Sequence, residues 1–201
     1  MSAGVTHLIK PDFLPAADHA AMLEYALSHE DQCLPSATGQ GQGSPHRQSL
    51  EFKDMGPCRA ILRDALIAVL PDTARAIGVT LGPKLRYDGS MNAHTDGAYY
   101  RPHVDIGGAV ARRSRVLSAV YYFHRTPRGF TGGDLRLFRL DQTGAFVDIP
   151  PTDNQLVVFP SMIPHEVRPV SVPSGDFADA RFAVNLWVHN MPDKPASAPE
   201  N

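Results

Sequence analysis

The chain has 201 residues, of which 43% are hydrophobic and 20% charged, with a formal net charge of −2. That is enough for one domain with a real core and too short to expect two. The near-neutral balance excludes nucleic acid or an anionic membrane as a default partner, and two distant cysteines, Cys33 and Cys58, exclude a disulfide framework or a cysteine zinc site.

In chain order, MSAGVTHLIKPDFLP lacks the basic start and apolar run of a signal peptide. No stretch approaches the roughly 20 apolar residues of a membrane span. A reducing, cytoplasmic setting is therefore the expectation. Residues 5–9 read as a short strand, and Pro11 and Pro15 punctuate the chain. Residues 16–29 read as a helix with Met22, Leu23, Ala26 and Leu27 on one face. Residues 36–46, rich in Gly, Ser and Gln, read as a mobile loop. The spacing of Ile61, Leu62, Ala65, Leu66, Val69 and Leu70 predicts a helix over 57–70. Pro71 is expected to end it and to open a second short helix through about Ile77.

After that the pattern changes. Segments near 82–87, 98–105, 115–123, 134–139, 145–149, 155–159, 165–170 and 180–189 are short and rich in Val, Leu, Phe and Tyr, with Gly, Pro and Asp between them. The predicted fold is mainly β with N-terminal helices (α+β). Two or three helices in about 1–80 support an antiparallel core in about 82–190, closed as a sandwich or double-sheet roll. One domain is expected over 1–191, followed by a disordered tail over 192–201.

Two imidazoles and a carboxylate can hold iron on one face and leave the opposite face open. His103-Val104-Asp105 and the later His165 supply that set. In a strand, residues two apart share a face, so His103 and Asp105 project together, with Tyr99 and Arg101 beside them. No cysteine or fourth histidine stands nearby to close a structural zinc site. A second triplet, His94-Thr95-Asp96, lies among turn formers in DGSMNAHTDG and reads as loop. A dicarboxylate co-substrate needs a cation, and arginine offers a planar fork. Arg181 opens the alternating strand ARFAVNLWVH, where Ala183, Asn185 and Trp187 share its face. Tyr122 offers a phenol from a neighbouring strand, Tyr121 points the other way, and Tyr87 is a weaker candidate.

LRYDG, YYRPHVD, SAVYYF, GGDLRLF, LVVFPS, HEVRPV and RFAVNLW follow one another between about Leu85 and His189. In this order they resemble the Fe(II)- and 2-oxoglutarate-dependent dioxygenases, in their prolyl 4-hydroxylase-like branch. The resemblance implies a double-stranded β-helix, a jelly-roll or cupin-like core. It implies iron on His103, Asp105 and His165, and 2-oxoglutarate chelated there with its far carboxylate on Arg181, aided by Tyr122 and Asn185. Dioxygen would be the second co-substrate and ascorbate a reductant. A C–H bond of a small molecule, amino acid or prolyl residue would be hydroxylated, with succinate and CO2 as co-products. Related halogenases lack the carboxylate that Asp105 supplies, so its presence points to hydroxylation. Gly132-Gly133-Asp134 matches a family turn with a structural role.

One departure is the longer stretch VSVPSGDFADA between His165 and Arg181, a loop over 171–180 that could contact substrate. Arg112, Arg113 and Arg115 in the loop over 107–115 read as solvated charge, with attraction of an acidic substrate as the other reading. Two alternatives stay open: a catalytically silent metal-binding module of the same fold, and a cupin-like zinc or manganese enzyme without a keto-acid.

Overall fold

The computed structural model describes residues 7–38, 41–42, 45–107, 114–141 and 144–191. In chain order it runs β1 (Leu8–Lys10), α1 (Ala16–Ser28), β2 (Cys33–Pro35), β3 (Ala37–Thr38), β4 (Gly41–Gln42), β5 (Arg47–Gln48) and β6 (Leu50–Phe52). Then follow α2 (Cys58–Ala76), β7 (Leu85–His94), β8 (Tyr99–His103), β9 (Arg115–Phe123), β10 (Thr131–Gly132) and β11 (Leu135–Phe138). The last strands are β12 (Phe146–Ile149), β13 (Gln155–Pro160), β14 (His165–Val167), β15 (Val170–Ser171) and β16 (Arg181–Asn190).

Two antiparallel sheets dominate. The larger has seven strands in the order β1-β13-β9-β16-β7-β6-β2, the smaller five in the order β12-β11-β14-β8-β5. Alternation sorts the side chains of the large sheet into two cores. Leu117, Ala119, Tyr121 and Phe123 of β9 join Phe182, Val184, Leu186 and Val188 of β16 in a core shared with the helices. Val120 and Tyr122, with Val157, Phe159 and Ala183, face Leu135 and Leu137 of the small sheet. Three layers result: helices, large sheet, small sheet. Because the large sheet is covered on both faces, its central strands β9 and β13 read as almost unbroken apolar runs. This is the jelly-roll core with N-terminal helices that the sequence predicts.

Four readings need correction. Helix α2 does not stop at Pro71 but runs to Ala76 with Pro71 inside it. Leu62, Leu66 and Leu70 are buried before and at the edge of the proline, and Thr73 and Ala74 after it. Burial of that continuous face offsets the lost hydrogen bond to Ile67, which is exposed. Next, His94 is not in a loop but ends β7, buried and paired with Arg181. Within 36–46, β3 and β4 pair as a small hairpin. Finally, beyond the strand read over 5–9, which is β1 paired with β13, the N-terminal region supplies further strands: β6 pairs with β7, and β5 with β8. The tail over 192–201 and most of the loop over 107–115 lie outside the described residues.

Candidate metal centre

His103 ends β8 and His165 opens β14, and the two are direct cross-strand partners. Asp105 lies two residues past His103, in a bend fixed by its backbone N–H donating to the Ser161 carbonyl at 3.1 Å. The three side chains offer ligand atoms within 4.8 Å of one another. His165 Nε2 is 3.6 Å, and His103 Nε2 3.9 Å, from the Asp105 carboxylate. Each histidine is oriented by its other nitrogen: His103 Nδ1 lies 2.8 Å from the Arg101 carbonyl and His165 Nδ1 2.9 Å from that of Ile163. A carbonyl accepts only, so Nδ1 carries the proton and Nε2 presents its lone pair to the cluster.

The protonation states fit metal binding. Burial, then repulsion from His165, push the His103 imidazole well below its ordinary value, so it is neutral at neutral pH. Burial pushes the Asp105 carboxyl up, but the His165 and His103 rings and a 2.7 Å hydrogen bond from Ser118 more than offset it. The carboxylate is therefore ionised. Two imidazoles and one carboxylate are the donor set that suits ferrous iron.

Tyr99 and Arg101 do not share the His103 face as strict alternation predicts. Tyr100 does, with its ring stacked on His103 at 3.6 Å between centroids. His165 pairs with His103 but Val167 pairs with Tyr100, so β8 takes three residues where β14 takes two. The extra residue is a bulge next to Pro102, which has no N–H to give a ladder.

The triad opens into a cavity of about 490 Å³ between the sheets. Arg181, Ala183, Asn185 and Trp187 line it from β16, and Ser118, Val120 and Tyr122 from β9. Arg181 is 1% exposed. Its Nη1 donates to His94 Nδ1 at 3.2 Å, and the guanidinium lies 4.8 Å over the Tyr122 ring. Burial, reinforced by the Arg181 and Arg47 charges, pushes the His94 imidazole well below its ordinary value, so it accepts that bond as a neutral ring. Burial pushes the Tyr122 phenol up to about 12, so it stays protonated. Neither Arg181 Nε nor the Tyr122 hydroxyl has a hydrogen-bond partner among the described residues. No carboxylate of the described residues lies within ion-pair distance of Arg181. A buried cation without an acid is expensive unless a ligand brings one. A donor set for iron facing such a cation and a free phenol fits 2-oxoglutarate.

Gly133 makes room for Arg181. A Cβ there would sit 2.6 Å from Arg181 Cδ, and its φ of +74° is one that glycine adopts readily. Tyr87, expected as a weaker co-substrate contact, is not brought to the site. His94 and Ser90 of β7 face the cavity, so Tyr87, at odd spacing from both, packs against the helix-side core. The loop over 171–180 does not line the cavity either: Val172 and Phe177 are buried in core clusters. Asp96 accepts from the Val172 N–H at 2.8 Å and so anchors that loop. Sequence reading missed Ser118, which alternation from Tyr122 would have placed. It also missed Tyr100, hidden by the bulge, and Arg47, which follows a Gly/Ser-rich stretch with no periodicity.

Residues 89–189 match the family model of the 2OG-Fe(II) oxygenase superfamily. A PKHD-type hydroxylase of Synechocystis, itself uncharacterized, is 30% identical over 186 residues, covering 88% of this chain and 61% of that protein. The chain thus spans about three fifths of the length of this relative. A Pseudomonas putida prolyl-4-hydroxylase superposes with a TM-score of 0.66 at 22% identity, over 95% of both chains. A Trichoplax adhaerens prolyl hydroxylase, solved with a peptide fragment of the hypoxia inducible factor oxygen degradation domain, gives 0.71 at 18% identity over 92% of this chain and 84% of its own. The matched segment holds the triad, Tyr122 and Arg181, and the chain belongs to the 2OG-Fe(II) oxygenase superfamily, with a fold like that of the prolyl 4-hydroxylases.

Proposed function

We propose that the protein is a 2-oxoglutarate-dependent hydroxylase in which His103, Asp105 and His165 hold Fe(II). Arg181 takes the far carboxylate of 2-oxoglutarate, with Tyr122 and Asn185 beside it on the same wall. The observation that carries this reading is the pairing of an iron-type donor set with a buried arginine lacking an acid partner in one cavity. With iron and 2-oxoglutarate bound, the centre supplies oxidative decarboxylation to succinate and CO2, coupled to hydroxylation of a C–H bond by dioxygen.

The chain's own work is positioning. The Arg101 and Ile163 carbonyls fix the two imidazoles, and Ser118 fixes the carboxylate. The Tyr122 phenol, still protonated, is available to donate to a carboxylate oxygen. The apolar wall from Val120, Leu135 and Ala183 limits water around the reacting centre. The substrate is a small molecule, an amino acid or a prolyl residue, the last supported by the prolyl hydroxylases that share the fold. Ascorbate serves as the external reductant. A reducing cytoplasmic setting agrees with two free cysteines; no helix among the described residues is long and apolar enough to cross a membrane.

The test is succinate formation from 2-oxoglutarate by the iron-loaded protein. Wild type produces succinate and Asp105→Ala produces none. Full turnover by Asp105→Ala would remove this ligand assignment.

A further inference from the structure

Three arginines line the cavity: Arg47, Arg115 and Arg181. Arg115 has an acid nearby, with Asp88 at 3.7 Å, and lies 3.8 Å over the Trp187 ring. Arg181 has none, and the reading above gives it 2-oxoglutarate. Arg47 is the third. It stands on β5, the edge strand of the small sheet, beside the strand that ends in His103. Its Nε donates to Ser49 Oγ at 2.8 Å and its Nη2 to Asn92 Oδ1, both neutral acceptors. The guanidinium lies 5.0 Å over the Tyr100 ring, which is itself stacked on His103. Glu51 lines the same cavity, yet no carboxylate of the described residues lies within ion-pair distance of Arg47.

Such a group is held for binding rather than for the fold. Two neutral acceptors and an aromatic face fix its orientation, which lowers the entropic cost of engaging a ligand. Neutral His94 lies on the wall under the influence of both the Arg181 and the Arg47 guanidinium, so it supplies no charge to either. A single 2-oxoglutarate chelated at the triad has one far carboxylate, and Arg181 takes it. Glu51 and Asp105 attract Arg47 from a distance without pairing with it, and a second anion would give it a direct partner.

We infer that Arg47 binds a carboxylate of the substrate to be hydroxylated, so the cavity receives two acids: 2-oxoglutarate at Arg181 and a small carboxylic acid at Arg47. This rests on the co-substrate reading above. The layered order of Arg47, Tyr100 and His103 sets the bound carboxylate one ring away from a metal ligand. A cavity of about 490 Å³ accommodates both molecules.

The experiment uses the iron-loaded protein under argon with saturating 2-oxoglutarate. The free amino acids and a series of short aliphatic acids are titrated beside their primary amides. Binding is read from the thermal midpoint and from perturbation of the iron-to-keto-acid absorption band. At least one acid, and not its amide, raises the midpoint and perturbs the band. Arg47→Gln weakens that acid about tenfold or more while leaving the 2-oxoglutarate band in place. Arg47→Lys, which keeps the charge but not the fork, retains part of the preference, and the unliganded midpoints show that both variants fold. Acids and amides that bind alike, no acid that binds, or loss of the band in Arg47→Gln would each overturn the inference. A wild-type protein without any band would instead fail the co-substrate reading, and Arg47 would lose its second anion with it.

Discussion

Gly133 shows how closely one residue controls the site. Its missing Cβ lets the Arg181 side chain pass, and any substituent would meet Arg181 Cδ and Val170 Cγ2 inside 3 Å. Gly133→Ala is therefore expected to raise the KM for 2-oxoglutarate by about tenfold or more through a misplaced guanidinium. Iron affinity should be unchanged, because the triad lies on other strands. Steady-state kinetics beside an iron titration check both halves. At this scale the sequence was legible where a donor type and a strand period coincided, as at His103, Asp105 and His165. Arg181, Tyr122 and Asn185 came from the period of their strands. It was misleading where one residue changes the parity, as the bulge at Pro102 exchanges Tyr99 for Tyr100. Tyr87 had no period to support it and falls on the helix-side face of β7. His94 read as loop because polar neighbours hide a strand whose partners on both sides lie far away in the chain.

Among elements, α2 and the strands of the large sheet carry the site without touching substrate. Leu66 of α2 is 1% exposed in the core shared with β9 and β16. Leu66→Ala should destabilise the fold by about 2–5 kcal/mol, with the residual folded protein retaining its KM for 2-oxoglutarate. Denaturant unfolding and kinetics on the same preparation separate the two effects. Long apolar runs such as β9 were legible end to end, since burial on both faces leaves a strong signal. Strands of two or three residues such as β5 and β6 were not, because their structure is imposed by the strands they pair with. The continuation of α2 through Pro71 has the same origin: a tertiary surface outweighs a local breaker.

On the scale of the whole molecule, the proposed ligands bridge two sheets. The triad belongs to the β8–β14 side of the small sheet, Arg181 and Tyr122 to the large one. Metal alone should stabilise one side, and 2-oxoglutarate added to it should tie the layers together. At a hundredfold excess over its Kd, a ligand adds about 2.7 kcal/mol, or roughly 5–10 °C in Tm for a chain of this size. The increment from 2-oxoglutarate should appear with metal present and nearly vanish after chelation. A thermal melt in the four combinations checks this, and equal shifts with and without metal would contradict it.

The most direct measurement is the anaerobic visible spectrum of the iron-loaded protein with 2-oxoglutarate, beside Arg181→Ala. A weak iron-to-keto-acid charge-transfer band in the wild type, diminished in the variant at the same iron content, is the predicted result. Iron bound at full occupancy with no band at saturating 2-oxoglutarate would contradict the shared site of metal and co-substrate.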